Sequence, residues 1–309
     1  MTHLNKVLII IGPTASGKTA LAVDLAKKLD GEIIGLDSRQ IYRNMTIGTA
    51  QPEENEKGEI PHHLFEIKDP TDEVTAGGFA KLVFAAVEDI QRRGKRPIIC
   101  GGAGLYFRAI TKGIFEGSVS DLAARKKLEK EYDENGPDRL LSQLRKIDPE
   151  YGEIVHPNNK KRLVRALEIY DATGKPPSQH FHDQESSNIS QLNLFTVYLD
   201  WDRASLAQRI AIRTHDMLKA GWIEEVKSLL EKYPDEHLHP LDSIGYRQII
   251  AHLNGELSEA ELEQEIVLKT RQFAVRQIKW FRKENLDLIV KMSPQRSLEE
   301  MTQFILDNR

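Results

Sequence analysis

The sequence predicts an α/β fold in which a parallel sheet is flanked by helices. The first observation is a series of short apolar runs, which predict buried strands at residues 7–11, 32–36, 97–100, 195–199 and 286–290. The second is that helical patterns alternate with these runs, an order typical of parallel sheets covered on both faces. The third is a change of character over residues 118–191, which lack a strand pattern and contain charged amphipathic segments. We interpret this segment as a helical insertion between two core strands.

Helix start and stop signals support this order of elements. One pattern covers residues 79–93 and is closed by Gly94, and another covers residues 205–220 and is closed by Gly221. Ser258 and Glu261 form a capping-box pattern that predicts one long helix to about residue 283. The expected organisation is a core domain of residues 1–117 and 192–309, carrying the insertion domain of residues 118–191.

Composition is that of an ordinary soluble protein. Of the 309 residues, 40% are hydrophobic and 29% are charged, and the net charge is −4. The single cysteine, Cys100, excludes an internal disulfide and is expected to be a buried thiol in a reducing compartment. No signal peptide or membrane-spanning run is visible, so we expect a cytoplasmic protein with no membrane partner. Basic runs at residues 160–165 and 269–283 leave nucleic acid open as a partner.

A phosphate-binding loop follows the first predicted strand. Its sequence fits the pattern G-x-x-x-x-G-K-[ST] and consists of Gly12, Pro13, Thr14, Ala15, Ser16, Gly17, Lys18 and Thr19. Because the loop lies between a strand and a helix, its backbone N–H groups and the helix N-terminus favour a bound anion. Lys18 supplies a point charge and the Thr19 hydroxyl is suited to hold Mg²⁺. The core is therefore predicted to be P-loop NTPase-like.

Three further patterns are candidates for the site, and their spacing leaves the roles open. Asp37 follows the second strand, where a carboxylate could hold Mg²⁺ through water, cap a helix or act as a general base. Arg209 and Arg213 share a helix face and could clamp phosphate oxygens or belong to a surface of ion pairs. His62 and His63 lack partners at ligand spacing, so packing or hydrogen bonding is favoured over a zinc site.

These residues are compatible with three classes of protein. A kinase would transfer a phosphoryl group from ATP to a small molecule or nucleoside. A transferase using a diphosphate ester would bind diphosphate as the leaving group in the same loop. A nucleotide-switched binding protein would need a second acidic metal motif, and the strand ending in "RPIICGG" lacks the expected Asp.

Several motifs together resemble the tRNA dimethylallyltransferases, also called tRNA isopentenyltransferases. They run in order over nearly the whole chain and are "GPTASGKT", "DSRQIYRNMTIGTAQP", "PHHL", "GGAGLY", "HPNNKKRLVRALEIYDATGKPPS", "IGYRQ" and "TRQFAVRQIKWFR". The resemblance implies transfer of a dimethylallyl group from dimethylallyl diphosphate to the N6 amine of an adenosine. The target would be the adenosine immediately 3′ of the anticodon in tRNAs that read codons beginning with U, with diphosphate as the product.

The resemblance also implies roles for individual residues. Asp37 would act as general base, Lys18 and Thr19 would be catalytic with Thr19 on Mg²⁺, and Arg213 would join residues 12–19 in binding diphosphate. The residues expected to contact tRNA are Asp37, Ser38, Arg39, Gln40, Ala103, Arg125, Lys161, Arg162, Leu163, Val164, Arg165, Asp242, Ser243, Ile244, Gly245, Tyr246 and Arg247.

Two positions depart from the family pattern. The family has Thr where this chain has Ala103, so a hydroxyl contact to tRNA is expected to be lost. It often has Lys where this chain has Gln51.

We expect a monomer that binds one tRNA.

Overall fold

A six-stranded parallel sheet forms the centre of the fold. The computed structural model describes residues 6–113, 122–186, 192–234 and 236–309. The strand order is β3-β2-β4-β1-β5-β6, and every pairing is parallel. The strands are β1 (Val7–Ile11), β2 (Gly31–Leu36), β3 (His62–His63), β4 (Arg96–Gly101), β5 (Leu194–Asp200) and β6 (Leu288–Lys291). The predicted α/β class is confirmed. Each of the five predicted strands is present, whereas the edge strand β3 was not predicted.

Helices alternate with the strands along the chain. They are α1 (Lys18–Leu29), α2 (Glu54–Lys57), α3 (Ala76–Arg92), α4 (Gly104–Thr111), α5 (Leu122–Asn135), α6 (Pro137–Ile147), α7 (Pro149–Ile154), α8 (Lys160–Thr173), α9 (Pro177–Ser186), α10 (Arg203–Lys219), α11 (Trp222–Lys232), α12 (Tyr246–Leu253), α13 (Glu259–Phe281) and α14 (Leu298–Asp307). Five of these helices, α5 to α9, follow one another between β4 and β5. The predicted capping box at Ser258 and Glu261 begins α13. α1 ends at Leu29 and is capped by Asp30, whose φ of 52° is left-handed, and Gly31 then begins β2.

β1, the strand that leads into the phosphate loop, is buried on both faces of the sheet. Its five residues are all buried, which explains the unbroken apolar run. Leu8 and Ile10 belong to a cluster that includes Leu21 and Leu25 of α1. Each such aliphatic side chain stabilises the fold by roughly 1.5–3 kcal/mol. The loop therefore begins and ends on elements fixed by the same core.

The chain divides into two compact units. One ends at Thr111 and resumes at Gln191, and the other spans Lys112–Ser190. The second unit contains α5 to α9 and has its own apolar cluster, which includes Leu140, Leu144, Leu163 and Leu167. The domain boundary predicted at residues 117/118 lies outside the described residues, and the one predicted at 191/192 lies at their edge. None of the described helices combines the length and apolar character that a bilayer crossing requires.

Candidate functional site

The phosphate loop connects β1 to α1 at the carboxyl edge of the sheet. Two of its residues have positive φ, Ala15 at 62° and Gly17 at 85°. Gly17 is the residue before α1, and no side chain caps that helix end. The first N–H groups of α1 therefore remain available to an anion, in line with the partial positive charge of a helix N-terminus. Positive φ at Ala15, which has a Cβ, is an uncommon conformation that occurs more often at functional sites.

Lys18 lies across the loop with its ammonium group among loop atoms. Its Nζ donates to the Pro13 carbonyl at 2.7 Å and is 3.5 Å from the Ser16 Oγ. Burial lowers the pKa of Lys18 to about 8. The charge of Arg213 also lowers this pKa, whereas the charge of Asp37 raises it. A bound anion would reverse the effect of burial, because it favours the charged ammonium form.

Arg213 and Arg209 both reach the loop from α10, but they contact different kinds of loop atoms. The Arg213 Nη2 donates to the Thr14 Oγ1 at 2.6 Å. Burial lowers the pKa of Arg213, while the Asp37 charge raises it. The Arg209 Nε instead donates to the Ala15 carbonyl at 2.8 Å. Of the two arginines in the predicted clamp, Arg213 contacts a loop side chain and Arg209 contacts the loop backbone.

Two residues that sequence reasoning missed also hold the loop. The Trp201 Nε1 donates to the Ser16 carbonyl at 3.0 Å, and the Arg209 guanidinium lies over its ring, 4.8 Å from the centroid. Gln277 of α13 accepts from the Thr14 N–H at 2.8 Å and donates to the Gly102 carbonyl at 2.8 Å. The loop is therefore tied to β5, α10 and α13, and this network pre-organises it.

Asp37 lies at the carboxyl end of β2, near the cations of the loop. Its Oδ1 accepts from the Arg39 N–H at 2.8 Å, and the residues that follow form a turn rather than an α-helix. Its charge raises the pKa values of Lys18 and Arg213, although burial lowers both more strongly. The carboxylate thus lies within electrostatic reach of both cations. The structure does not support the helix-capping interpretation, since the hydrogen bond closes a turn.

An open cavity of about 970 Å³ adjoins the loop. Its lining includes Lys18, Thr19 and Arg213, together with Gln51 and Glu54. A volume of this size is sufficient for a small diphosphate ester. Gln51, one of the two departures noted from the motif pattern, is buried and donates to the Gln40 carbonyl at 3.1 Å. It therefore supports the chain segment that carries Asp37.

The turn after Asp37 is held by its own side chains. The Gln40 Nε2 donates to the carbonyls of Thr49 and Ala50, at 3.0 and 3.1 Å. The Arg39 Nη1 lies 3.5 Å from the Nδ1 of His239. Ser38, Arg39 and Gln40 are each partly exposed, and so is Ala103 after β4.

The segment of residues 242–247 contains both exposed and buried side chains. Arg247 is exposed, and its Nε is 4.0 Å from the Asp242 Oδ1. Ser243 and Ile244 are partly exposed, whereas Gly245 is buried. The Tyr246 side chain is only 1% exposed and its hydroxyl donates to Glu225 at 2.7 Å. In this conformation Tyr246 cannot offer its hydroxyl to a ligand at the surface.

The insertion unit contains the remaining residues expected to contact tRNA. Lys161 and Arg162 are exposed in the first turn of α8, while Leu163 and Val164 are buried in the apolar cluster of the unit. Arg165 is partly exposed, with its Nη1 2.8 Å from the buried Glu168. Arg125 on α5 pairs with Glu129 at 3.8 Å. Any contact of α8 with RNA would therefore involve the exposed side chains, with Leu163 and Val164 as their support.

The two histidines of "PHHL" belong to the sheet. His63 lies in β3 and its Nε2 is 2.6 Å from Glu32, and His62 packs edge-on against the ring of Phe65. Over the described ranges, no group of three or more His, Cys, Asp or Glu residues is arranged to hold a metal ion. The preference for a packing and hydrogen-bonding role is in line with these contacts.

Comparison with known proteins identifies the family. A family model described as IPP transferase matches residues 40–284. A tRNA dimethylallyltransferase of Trichlorobacter lovleyi is 44% identical over 279 residues, which cover 90% of this chain and 91% of that protein. The tRNA dimethylallyltransferase of Acetivibrio thermocellus is 41% identical over 290 residues, or 93% and 92% of the two chains.

Solved structures agree with the sequence relatives. The tRNA isopentenylpyrophosphate transferase of Bacillus halodurans superposes with a TM-score of 0.70 at 33% identity, covering 98% of this chain and 96% of that one. A eukaryotic dimethylallyltransferase acting on tRNA gives a TM-score of 0.82 at 30% identity, covering 98% of this chain and 77% of that one. The resemblance found in the motifs is therefore confirmed, and this chain belongs to the IPP transferase family of tRNA dimethylallyltransferases.

Proposed function

We propose that this enzyme transfers a dimethylallyl group from dimethylallyl diphosphate to the N6 amine of the adenosine immediately 3′ of the anticodon. The tRNAs concerned read codons beginning with U, and diphosphate is released. One observation carries the proposal: a carboxylate, Asp37, lies within electrostatic reach of Lys18 and Arg213 at the phosphate loop. Such a site pairs a diphosphate cradle with a base for the attacking amine.

The phosphate loop is proposed to stabilise the leaving group. When the allylic C–O bond breaks, negative charge develops on diphosphate, and the N–H groups of residues 15–19 with Lys18 and Arg213 stabilise that charge. Both cations contact loop oxygens at 2.6–2.7 Å, so they are already held at the cradle. Pre-organised donors of this kind act without a reorganisation cost at the moment of reaction.

Mg²⁺ is the proposed cofactor, and Thr19 is the residue that would hold it. The cavity lining includes Thr19 at the start of α1, and the described residues contain no cluster of acidic ligands for a fully protein-bound metal. This donor set fits Mg²⁺, which prefers one or two protein oxygens together with waters and substrate phosphates. When bound, the ion would neutralise charge on the departing diphosphate.

Asp37 is the proposed general base. The N6 amine of adenine is a weak nucleophile, so its proton must leave as the new C–N bond forms, and the Asp37 carboxylate accepts it. The balanced step breaks the allylic C–O bond, forms the N6–C bond and moves one proton from N6 to Asp37. The target adenine must first leave the base stack of the anticodon loop to reach Asp37.

The tRNA is proposed to contact the rim of the site and the exposed basic side chains. Ser38, Arg39 and Gln40 lie directly beside Asp37 in sequence, and Arg247 is exposed. On α13 and directly after it, basic residues from Arg271 to Lys283, among them Arg276, are exposed and suited to phosphate contact. A monomer is the proposed acting unit. A tRNA substrate also accords with the cytoplasmic location expected from the sequence.

Product analysis tests the reaction. Purified protein is incubated with unmodified tRNA, Mg²⁺ and dimethylallyl diphosphate, and a parallel sample receives ATP in place of the prenyl donor. Nucleosides released by digestion are weighed by mass spectrometry. The expected result is a prenylated adenosine that appears only with the prenyl donor. Consumption of ATP with no prenylated nucleoside would overturn the proposal in favour of a kinase.

Replacement of Asp37 tests the proposed base. Asp37→Asn should slow prenyl transfer by roughly 10²–10⁴-fold, because the amide cannot accept the proton, while diphosphate binding should be nearly unchanged. The thermal midpoint of Asp37→Asn, compared with that of the wild type, is the control for disturbance of the turn. An equal loss of rate and of diphosphate affinity in Asp37→Asn would instead assign Asp37 to ligand or metal binding.

A further inference from the structure

Glu225, in the first turn of α11, connects two separate segments of the chain through one carboxylate. Its Oε2 accepts from the Ile47 N–H at 2.7 Å and lies 3.5 Å from the Thr46 Oγ1. Its Oε1 accepts from the Gly48 N–H at 2.9 Å and from the Tyr246 hydroxyl at 2.7 Å. No motif in the sequence points to this residue, yet it makes more hydrogen bonds than Asp37.

The two segments belong to different parts of the proposed site. Thr46, Ile47 and Gln51 line the cavity beside the phosphate loop, where the prenyl donor is proposed to bind. Tyr246 begins α12 and is one of the two buried residues of the segment 242–247. That segment is proposed to contact tRNA. Glu225 therefore joins a wall of the donor cavity to the base of the tRNA segment.

Packing around the carboxylate leaves little room for either segment to move alone. A Cβ at Gly48 would lie 2.0 Å from the Trp222 Nε1 and 2.5 Å from the Tyr246 hydroxyl oxygen. Gly245 has a φ of 92°, and a Cβ there would lie 1.9 Å from the Trp222 ring. The Trp222 and Tyr246 rings meet edge to face at 5.7 Å. Because interiors at this density are not continuously deformable, a displacement on one side is transmitted to the other.

We propose that Glu225 is a positioning residue that couples tRNA binding to the shape of the prenyl-donor cavity. The inference rests on the proposed function, because it assumes that tRNA contacts residues 242–247. When RNA contacts the exposed Arg247 or the partly exposed Ile244, the shift is carried through Tyr246 and the Glu225 carboxylate to the backbone of Ile47 and Gly48. The chemical consequence is that the donor site becomes complete only with tRNA in place, which limits loss of prenyl diphosphate to water.

The test is a measurement of coupling between the two ligands. Isothermal titration calorimetry gives the dissociation constant of diphosphate with Mg²⁺, in the absence and in the presence of saturating unmodified tRNA. The ratio of the two constants is the coupling factor, which typically lies between 5 and 150 for linked sites. In the wild type we expect a factor of about 5 or more. In Glu225→Gln and in Tyr246→Phe it should fall to within about twofold of 1, while diphosphate affinity without tRNA stays within about threefold.

Two further variants separate coupling from a general packing defect. Glu224→Gln changes the neighbouring exposed carboxylate, and it should keep the wild-type factor. The double variant Glu225→Gln/Tyr246→Phe should lose no more than the larger single effect, because both changes break the same connection. Tyr246→Phe removes a single oxygen, so it keeps the test decisive even if Glu225→Gln folds poorly.

The outcomes distinguish this inference from the proposed function. If Glu225→Gln and Tyr246→Phe keep the full coupling factor while the wild type forms prenylated adenosine, the role of Glu225 is rejected and the activity stands. If both variants lose affinity for diphosphate alone as much as with tRNA, Glu225 only builds the cavity wall and the coupling is rejected. A wild type that forms no prenylated adenosine rejects the proposed function itself, whatever the variants do.

Discussion

The pH dependence of diphosphate binding tests the environment of Lys18. Burial lowers the pKa of this residue to about 8. The ammonium form is the one that attracts diphosphate, so the free protein must regain a proton on Lys18 to bind above that pH. With a pKa near this value, roughly nine-tenths of the molecules carry the charge at pH 7 and roughly one-tenth at pH 9. We therefore expect the dissociation constant to rise about tenfold over this range, which corresponds to about 1.4 kcal/mol.

Calorimetric titrations with diphosphate and Mg²⁺ at pH 7, 8 and 9 measure this effect. Diphosphate itself changes protonation over this range, so the matched control is Lys18→Arg, whose guanidinium stays charged. The ratio of the wild-type constant to the Lys18→Arg constant isolates the titration of Lys18 and should rise with pH. A ratio that stays constant from pH 7 to 9 would refute the assignment of a lowered pKa to Lys18.

The same pKa has a consequence for the stability of the free protein. Its value in the folded state, about 8, lies below the unfolded value of 10.5. Between these two values the unfolded chain binds more protons than the folded one, so the contribution of Lys18 to the free energy of unfolding rises with pH. Lys18→Met should remove this contribution, which urea denaturation at pH 8 and pH 10 would detect.

The remaining predictions concern stability and substrate affinity. Arg93→Ala should lower the free energy of unfolding, because the buried Glu32 carboxylate loses its guanidinium partner and keeps only His63. Glu32→Gln should cost less, since Arg93 then turns to water; equal losses in urea denaturation would contradict this. The pKa of Glu32 is lowered to about 2 by its hydrogen bonds to Arg93, so its stabilising effect should be lost as pH falls from 4.5 towards that value. Gln277→Met should reduce diphosphate affinity about tenfold, because the Thr14 N–H loses its acceptor and the loop is held less firmly. The thermal midpoint should change little. An unchanged affinity would show that the loop holds its shape without Gln277. Ala103→Thr should lower the KM for tRNA about two- to tenfold if the hydroxyl contacts RNA. A raised thermal midpoint with an unchanged KM would mean that the new hydroxyl only caps α4.

Much of the fold was predictable because its strands are short apolar runs buried on both faces. The main omission was β3, an edge strand of two residues, His62–His63, which is too short to show any periodicity. The last strand was predicted two residues too early. Asp287 instead accepts from the Thr196 N–H at 2.8 Å, and β6 begins after it. Such side-chain contacts across the sheet are invisible in a local pattern.

The phosphate loop was predictable from its own residues, but its supports were not. Trp201 and Gln277 lie far from the loop in sequence, and each meets it through a single hydrogen bond. One signal was present for Gln277, because it is a polar residue on the buried stripe that includes Ala274, Ile278 and Phe281. Glu225 gave no signal, since one acid among several at the start of α11 is a common helix pattern.

The sheet order has a consequence for synthesis on the ribosome. β1 lies between β4 and β5, so its second neighbour does not exist until about residue 200 has been made. Trp201, Arg209 and Gln277, which hold the phosphate loop, appear later still. The helices of the insertion unit contact residues close to them in sequence and can form earlier. We therefore expect the nascent chain to expose one unpaired edge of β1. The phosphate loop, although it is made early, should be among the last segments to reach its final conformation.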